Sequence, residues 1–487
     1  MQYQIPQHID PNKIFLVNRS EIEGRLDPSV YKPHFKFVSK AFRNVKLSEI
    51  AWIDPSCMFK NIEEVSFIPM DAIDSSNGII SYQGIKKVEE TKGFTRFKEG
   101  DILWAKITPC MQNAKSAIAK KLLNGYGCGS TEFFVIRSKD ESVVLQEYLL
   151  FLLRDERILK AAVNYFGGSA GQQRVSPLFL KTFNVPLPGI EEQKSCCELL
   201  KNAQILKQQK EQQAEDILNS IDDYLLGELG IELPETKTQS LQDRIFTVSI
   251  SEVRDGRFDP KLYSIPVKRL KQSLYMSPFG KQPLKYFIKN NCSGEWGKDE
   301  SEEVDENKYT KCLVIRATEF DNTYNLRLDN SRVKYRWIVN SKLSRMDIQP
   351  NDLLIEKSGG SEDQPVGRIS ILTDEIVKGR QIGYSNFIHK ITVEGINPMY
   401  LYFYLRTMYN IKITDSMQSQ TNGIRNLIMS EYFNQTIVIP PVSKQQEIVS
   451  HISEIRQQAK ALQAEGKAIL ERAKREVEAM ILYGKKN

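Results

Sequence analysis

The sequence predicts an α+β protein: two repeated mixed α/β units and two long helices that pack on each other. Three observations carry this expectation. Residues 191–230 and 444–484 each place apolar residues on one helical face, much of the remaining chain is an internal repeat, and each repeat alternates short β-rich runs with a dense apolar helix.

The helices come first because they punctuate the chain. In the distal one Ile448, Ile452, Ile455, Ala459, Leu462, Gly466, Ile469 and Ala473 recur at steps of four and three, and Val477 and Met480 continue the stripe. The central one has Leu199, Ala203 and Leu206, a polar gap over residues 207–213 (KQQKEQQ), then Ala214, Ile217, Ile221 and Leu225. Each is roughly 60 Å long if unbroken, and neither can bury a one-sided stripe alone. The polar gap reads as a place where the seam is wet or meets a partner. Ser443 and Gln446 form an expected capping box at the distal helix start, and Glu191 and Glu192 suit the positive end of the central helix. Gly230 and Gly484 follow the last apolar positions, as C-terminal caps do. Residues 232–242 (ELPETKTQSLQ) read as a polar linker.

The repeat is read from paired segments. IFLVNRSEIEGRLDPSVY (residues 14–31) aligns with IFTVSISEVRDGRFDPKLY (residues 245–263) with one inserted residue, and ten of the eighteen positions are identical. KEGDILWAK, ending at Lys106, pairs with QPNDLLIEK, ending at Lys357, and EYLLFLLR (residues 147–154) pairs with MYLYFYLR (residues 399–406). SAGQQRV (residues 169–175) pairs with TNGIRNL (residues 421–427), and VPLP pairs with VIPP just before the two helices. So long a period implies duplication of a whole domain, not a solenoid. Within the first unit residues 101–108 and 132–137 read as strands and residues 146–165 as one helix. In the second, residues 352–357 and 386–391 read as strands and residues 398–410 as a helix. The acidic run 294–309 (GEWGKDESEEVDENKY) has no counterpart in the first unit and reads as a solvated loop.

Composition narrows the function. The 487 residues carry a formal charge of +6, which permits a nucleic-acid partner without demanding one. No apolar run approaches the roughly 20 residues that span a bilayer, and the first ten residues lack the layout of a secretory leader. The seven cysteines form no CxxC pair and His8, His34, His389 and His451 are scattered, so a cytoplasmic protein with free thiols, no metal and no cofactor is expected.

The chain lacks the nucleotide-binding patterns GxGxxG and GxxxxGK[ST], the zinc pattern HExxH, and an Asn-Pro-Pro-Tyr-type methyltransferase sequence. GGSAG (residues 167–171) puts Ser169 in the place of a nucleophile, but a helix precedes it where a nucleophile elbow needs a strand. Gly167, Gly168 and Gly171 read as a phosphate cradle or, more simply, a tight turn. Asp352, Glu356 and Lys357 raise a metal-dependent nuclease, although the acid and lysine are adjacent and Ala105 stands in the place of Glu356 in the first unit.

What remains is chemistry for reading bases, which needs Arg for guanine, Asn or Gln for adenine, and Lys and Arg for phosphate. Gln172, Gln173 and Arg174 supply it in the first unit and Asn422 and Arg425 in the second. A second polar cluster follows a strand in both: Lys106, Thr108, Gln112 and Lys115, then Lys357, Ser358, Gln364 and Arg368. Their recurrence at one position of the repeat favours a DNA-binding role over scattered surface charge.

The chain resembles the specificity (S) subunit of Type I restriction–modification systems. The resemblance rests on the order unit–helix–unit–helix, on GDILWAK and NDLLIEK, on GSTEFFVIR at Gly129, and on VPLPGIEEQ and VIPPVSKQQEI leading into the long helices. It implies that residues 1–190 and 231–443 are target recognition domains, each reading half of a bipartite double-stranded DNA site. It also implies that residues 191–230 and 444–487 are spacer helices in an antiparallel coiled coil that docks two methyltransferase (M) subunits, joined in some complexes by restriction (R) subunits. The subunit itself is then non-catalytic, needs no cofactor and touches no membrane. Glu132 of STEFFV has no acidic match in SNFIHK of the second unit, which fits two different base preferences. The alternatives are a nuclease acting alone through Asp352 and Glu356, or a scaffold that binds only proteins.

Overall fold

A computed structural model of the chain describes residues 10, 14, 16–17, 19, 38–167, 173–234, 245–250, 253, 260–321, 325–329, 332–361, 364–421 and 424–484. Two compact units result: Met1–Glu211 with Gln463–Asn487, and Gln212–Leu462. The closest sequence repeat, residues 14–31, falls largely outside the described residues.

In the first unit the central sheet is antiparallel, ordered Ala51–Ile53, Phe133–Ser138, Ile102–Ala105, Ser116–Ile118. All four residues of Ile102–Ala105 are buried, because the sheet is covered on both faces. Successive side chains of a strand point to opposite sides, so Ile102, Trp104 and Phe134 join a core with Tyr148 and Phe179, while Leu103, Phe133 and Val135 join another with Phe97 and Ile68. A second sheet, ordered Gly84–Lys87, Glu64–Ile68, Tyr126–Gly129, Thr95–Lys98, contains a parallel pairing, Tyr126–Gly129 on Glu64–Ile68.

The second unit repeats the plan. Its central sheet is ordered Ile288–Ser293, Ile388–Val393, Leu353–Glu356, Ile369–Ile371, and its second sheet again has one parallel pairing, Tyr309–Ile315 with Ile382–Tyr384. Leu353 and Ile355 face one core and Leu354 the other, in the same alternation. A two-stranded ribbon closes each unit before its long helix, Arg43–Lys46 with Asn184–Leu187 and Gly280–Pro283 with Thr436–Ile439. Tyr148 donates its hydroxyl to the Pro186 carbonyl at 3.0 Å, and Tyr400 repeats this with Val438 at 2.7 Å, tying the packed helix to the ribbon.

Helix Pro398–Asn410 runs unbroken as expected, capped by Asn397. The expected single helix over residues 146–165 is instead two, Gln146–Leu153 and Glu156–Val163. Arg154, at the break, donates to the carbonyls of Ala114, Ser116 and Ser75, and Asp155 caps the second piece through the Arg157 amide. The acidic run is exposed but not unstructured: Lys298–Asp299 pairs with Lys334–Val339, and Glu300 meets Lys311 at 2.6 Å.

The long helices span Ile190–Glu228 and Val442–Tyr483. The expected Ser443–Gln446 capping box does not form. The helix already begins at Val442, and Gln446 accepts from the Asn397 side chain at 3.3 Å. The starts are fixed by two buried glutamines instead. Gln193 donates to the Pro188 and Val143 carbonyls and accepts from the Leu145 amide, and Gln445 donates to the Pro440 carbonyl and accepts from the Asn397 amide. Gly230 and Gly484 take positive φ as expected of caps.

Both helices contribute to both units, and in each they pack antiparallel. In the first unit Lys210 pairs with Glu465 at 2.9 Å, and in the second the Tyr224 ring lies 4.2 Å from His451. The distal seam is buried or half-buried at every position expected. In the central helix Leu206 is 46 % exposed, and Lys207 and Lys210 take over the seam. They do so because Gly466 lets the backbones close: a Cβ there would lie 3.3 Å from the Lys207 carbonyl. The lysine stems cover this spot while Glu211 and Glu465 hold their ammonium groups. The polar gap is thus part of the helix contact and not an opening in it.

Candidate nucleic-acid interface

The two polar clusters that the sequence presents separately meet on one surface of each unit. In the first unit the chain leaves strand Ile102–Ala105 and is stitched sideways by backbone bonds. The Lys106 amide donates to the Glu132 carbonyl (2.9 Å), the Val175 amide to the Lys106 carbonyl (2.9 Å), and the Thr108 amide to the Gln173 carbonyl (3.0 Å). Lys106, Thr108, Glu132, Gln173 and Arg174 therefore share one patch. Arg174 forks onto Glu132, with Nε and Nη2 at 2.7–3.0 Å from its oxygens, and the carboxylate holds the guanidinium above its ordinary pKa. Glu132 thus fixes the plane of Arg174 and offsets its charge. The Lys106 ammonium sits 5.2 Å from the centre of the Phe134 ring, and Gln112 is exposed on the following turn.

The second unit has the same stitch. The Lys357 amide donates to the Phe387 carbonyl and the Leu427 amide to the Lys357 carbonyl, both at 2.8 Å. These bonds equate Lys106 with Lys357, Val175 with Leu427, Arg174 with Asn426, Gln173 with Arg425 and Glu132 with Phe387. The side chains differ. Ser358 donates to the Asn426 amide oxygen at 2.6 Å, and Arg425 makes no side-chain hydrogen bond or ion pair among the described residues. The Lys357 ammonium reaches Ser293 at 2.9 Å, and partial burial lowers its pKa. Beside it His389 lies between Ser293 (3.1 Å) and Asn291 (3.0 Å), and burial, helped by the Lys357 charge, pushes its pKa down to about 4. Gln364 joins a backbone turn with Ser361.

Two of the expected DNA-binding residues are engaged by carbonyls of other segments. Arg368 is 8 % exposed and donates to Glu356 at 2.7 and 3.0 Å and to the carbonyls of Phe320 and Ala317. Its counterpart is Lys115, since the Ala105 amide donates to the Lys115 carbonyl as the Glu356 amide does to that of Arg368. Lys115 also turns inward, onto the Met70 carbonyl at 2.9 Å. Both cations brace the sheet, because carbonyls from another segment lie where their stems end. Gln172 and Asn422 lie outside the described residues, as do Gly168, Ser169 and Gly171 of the GGSAG run.

The carboxylates of the nuclease reading are occupied. Asp352 is fully buried against Lys390 at 3.0 Å and accepts from Thr392 and the Gln349 amide. Glu356 is forked onto Arg368; burial raises its pKa and the arginine opposes that rise. Among the described residues no group of three or more His, Cys, Asp or Glu side chains could hold a metal ion. The sequence flagged Glu132 only as a mismatch and missed Phe387 and Asn426. Aligning the two STEFFV-like and GQQRV-like segments column by column was the signal that could have found them.

A duplicated α/β unit on paired helices, with its differing side chains gathered on one loop surface, is the plan of a recognition protein. The family model described as the Type I restriction modification DNA specificity domain matches residues 40–216 and 299–472, and the chain belongs to that family. It is 38 % identical over 180 residues to the Type I restriction enzyme EcoEI specificity subunit of Escherichia coli, and 37 % identical over 178 residues to the EcoAI specificity subunit of the same organism. These alignments cover 37 % and 36 % of this chain and span only 30 % of each relative's length. A chain in a solved structure concerned with complex assembly and conformational transition of the type I R-M system is similar in fold. Its TM-score is 0.51 at 15 % identity, covering 90 % of this chain and 96 % of that one.

Proposed function

We propose that the chain is the DNA sequence-specificity subunit of a Type I restriction–modification complex. It recognises a bipartite double-stranded DNA target and directs two methyltransferase subunits to it, with restriction subunits where the complex also cuts. It carries no catalytic site of its own. Residues 1–190 and 231–443 act as the target recognition domains, and residues 191–230 and 444–487 as the helices that set the gap and dock the methyltransferases. The observation that carries this reading is the loop surface built twice on the same backbone stitch and dressed with different side chains. DNA half-sites spaced along one duplex call for that combination of a constant frame and variable contacts. Seven free cysteines and the absence of any membrane-length apolar helix among the described residues support a cytoplasmic setting.

The test is the methylated motif of a host carrying this chain with its methyltransferase, read by single-molecule sequencing. Seven residues inserted at matched positions of both helices keep the heptad register and add about 10 Å. At roughly 3.4 Å per base pair, the unspecified gap should widen by about three base pairs while both half-sites stay the same. A motif with an unchanged gap refutes the spacer role, and cleavage of DNA by the purified chain with magnesium alone refutes the non-catalytic one.

A further inference from the structure

Phe387 stands at the position of Glu132, as the shared bond from the lysine amide establishes (Lys106 to the Glu132 carbonyl, Lys357 to that of Phe387). In the first unit that position turns a carboxylate toward Arg174. In the second it holds an aromatic ring that is 49 % exposed and joins none of the buried cores. The ring lies beside Gly359, whose φ is +103° and where an added Cβ would sit 3.9 Å from the ring edge and meet nothing nearer. Backbone is therefore open to approach at this point. The residues adjoining Phe387 along the stitch are polar: Lys357, whose amide donates to the Phe387 carbonyl, Ser358 with the Asn426 amide oxygen it donates to, and Arg425 next in that strand. A single exposed apolar side chain is ordinary on a protein surface. One set among polar positions of the stitch, at the point where the sister unit places an ion pair, matches a different target. The major-groove edge of a T·A pair offers the N6 and N7 groups of adenine, which asparagine can read, and, beyond the thymine O4, an apolar methyl.

We infer that Phe387 is a specificity-determining residue of the second unit, contacting the 5-methyl group of a thymine beside the base that Asn426 reads. The inference rests on the DNA-specificity reading above. It makes the two units different in kind: one reads through an arginine fixed by Glu132, the other through an apolar contact and an amide. Lys357 and Lys106, common to both, then serve the phosphate backbone, which carries no sequence information.

The experiment uses the full chain assembled with its methyltransferase subunits, once sequencing has given the methylated motif. Binding is measured on duplexes in which each thymine of the second half-site is replaced in turn by deoxyuridine, which deletes only the methyl group. One replacement should weaken wild-type binding about fourfold, the worth of one buried methyl group. Phe387→Ala should bind the thymine duplex about fourfold more weakly and not respond to that replacement, while Phe387→Leu should keep part of the response. All three proteins should respond alike to replacements in the first half-site, which also reports that the variants are folded. If Phe387→Ala responds to every replacement as the wild type does, the inference is overturned while the specificity reading stands. If the complex shows no bipartite motif at all, both fall.

Discussion

At the strand entering the loop surface, the first unit holds Asp101 with Arg137 at 2.6 and 2.8 Å, and the second holds Asp352 with Lys390 at 3.0 Å. The acid is the same and the base is not even at the same position: strand register equates Arg137 with Thr392, which also bonds Asp352. On the neighbouring segment, Lys115 and Arg368 occupy one position and both turn inward, Lys115 to a carbonyl and Arg368 to carbonyls and Glu356. Tyr148 and Tyr400, and Gln193 and Gln445, repeat the same bonds in each unit. Residues alike in both units hold up the frame. Others that differ, Glu132 against Phe387 and Arg174 against Asn426, lie on the loop surface. Among the recurring basic residues, Lys115 and Arg368 brace the sheet, while Lys106 and Lys357 stay on the loop surface. After duplication a shared scaffold constrains the positions that build it, and under the proposed function two different half-sites would pull the exposed positions apart.

The largest effect should come from the frame of the second unit. Arg368→Ala leaves Glu356 buried without its partner, which costs about 3–5 kcal/mol. The double change Glu356→Ala with Arg368→Lys installs the first unit's own pair, Ala105 and Lys115, and should recover much of that loss in denaturant unfolding. A single variant as stable as the wild type would break the assignment of this position to the scaffold. A smaller and more selective effect is expected at Glu132. Glu132→Ala frees Arg174 from its fork, so the methylated motif should relax roughly tenfold at one position of the first half-site. The second half-site should not change, and loss of methylation at all sites would instead indicate an effect on folding. A pH dependence is also expected from one residue of the second unit. His389 has its pKa depressed to about 4, below its unfolded value near 6.5. Its neutral form therefore stabilises the fold fully above pH 6.5, and this contribution is lost as pH falls toward 4. Phe134 holds the equivalent place in the first unit, so His389→Phe should flatten the wild-type decline between pH 6.5 and 4 in thermal unfolding. An equally steep decline in the variant would assign the pH dependence to other groups.

Much of the plan was legible in the sequence because it rests on periodicity and duplication, both local properties of a chain. The stripe from Ile448 to Met480 named the seam of the distal helix, and helix Pro398–Asn410 fell where its apolar density put it. Gly230 and Gly484 marked the helix ends because the left-handed backbone there favours glycine. Pairing VPLP with VIPP and GDILWAK with NDLLIEK revealed two units of one kind.

Tertiary structure alone decided where side chains end. Nothing near Arg368 in sequence says that the Phe320 carbonyl, 48 residues away, will receive it, nor that Met70 will receive Lys115. Leu206 looked like the seam residue by period. Gly466, on the other long helix, let the backbones close so that lysine stems cover the contact instead. The break after Leu153 came from carbonyls of Ser75, Ala114 and Ser116 that collect Arg154. A long cation is amphipathic, and whether its head meets water, a carboxylate or a carbonyl depends on what other segments bring within reach. The amino-acid order therefore determined two units and two helices, and the fold decided which polar residues face out and which brace the core.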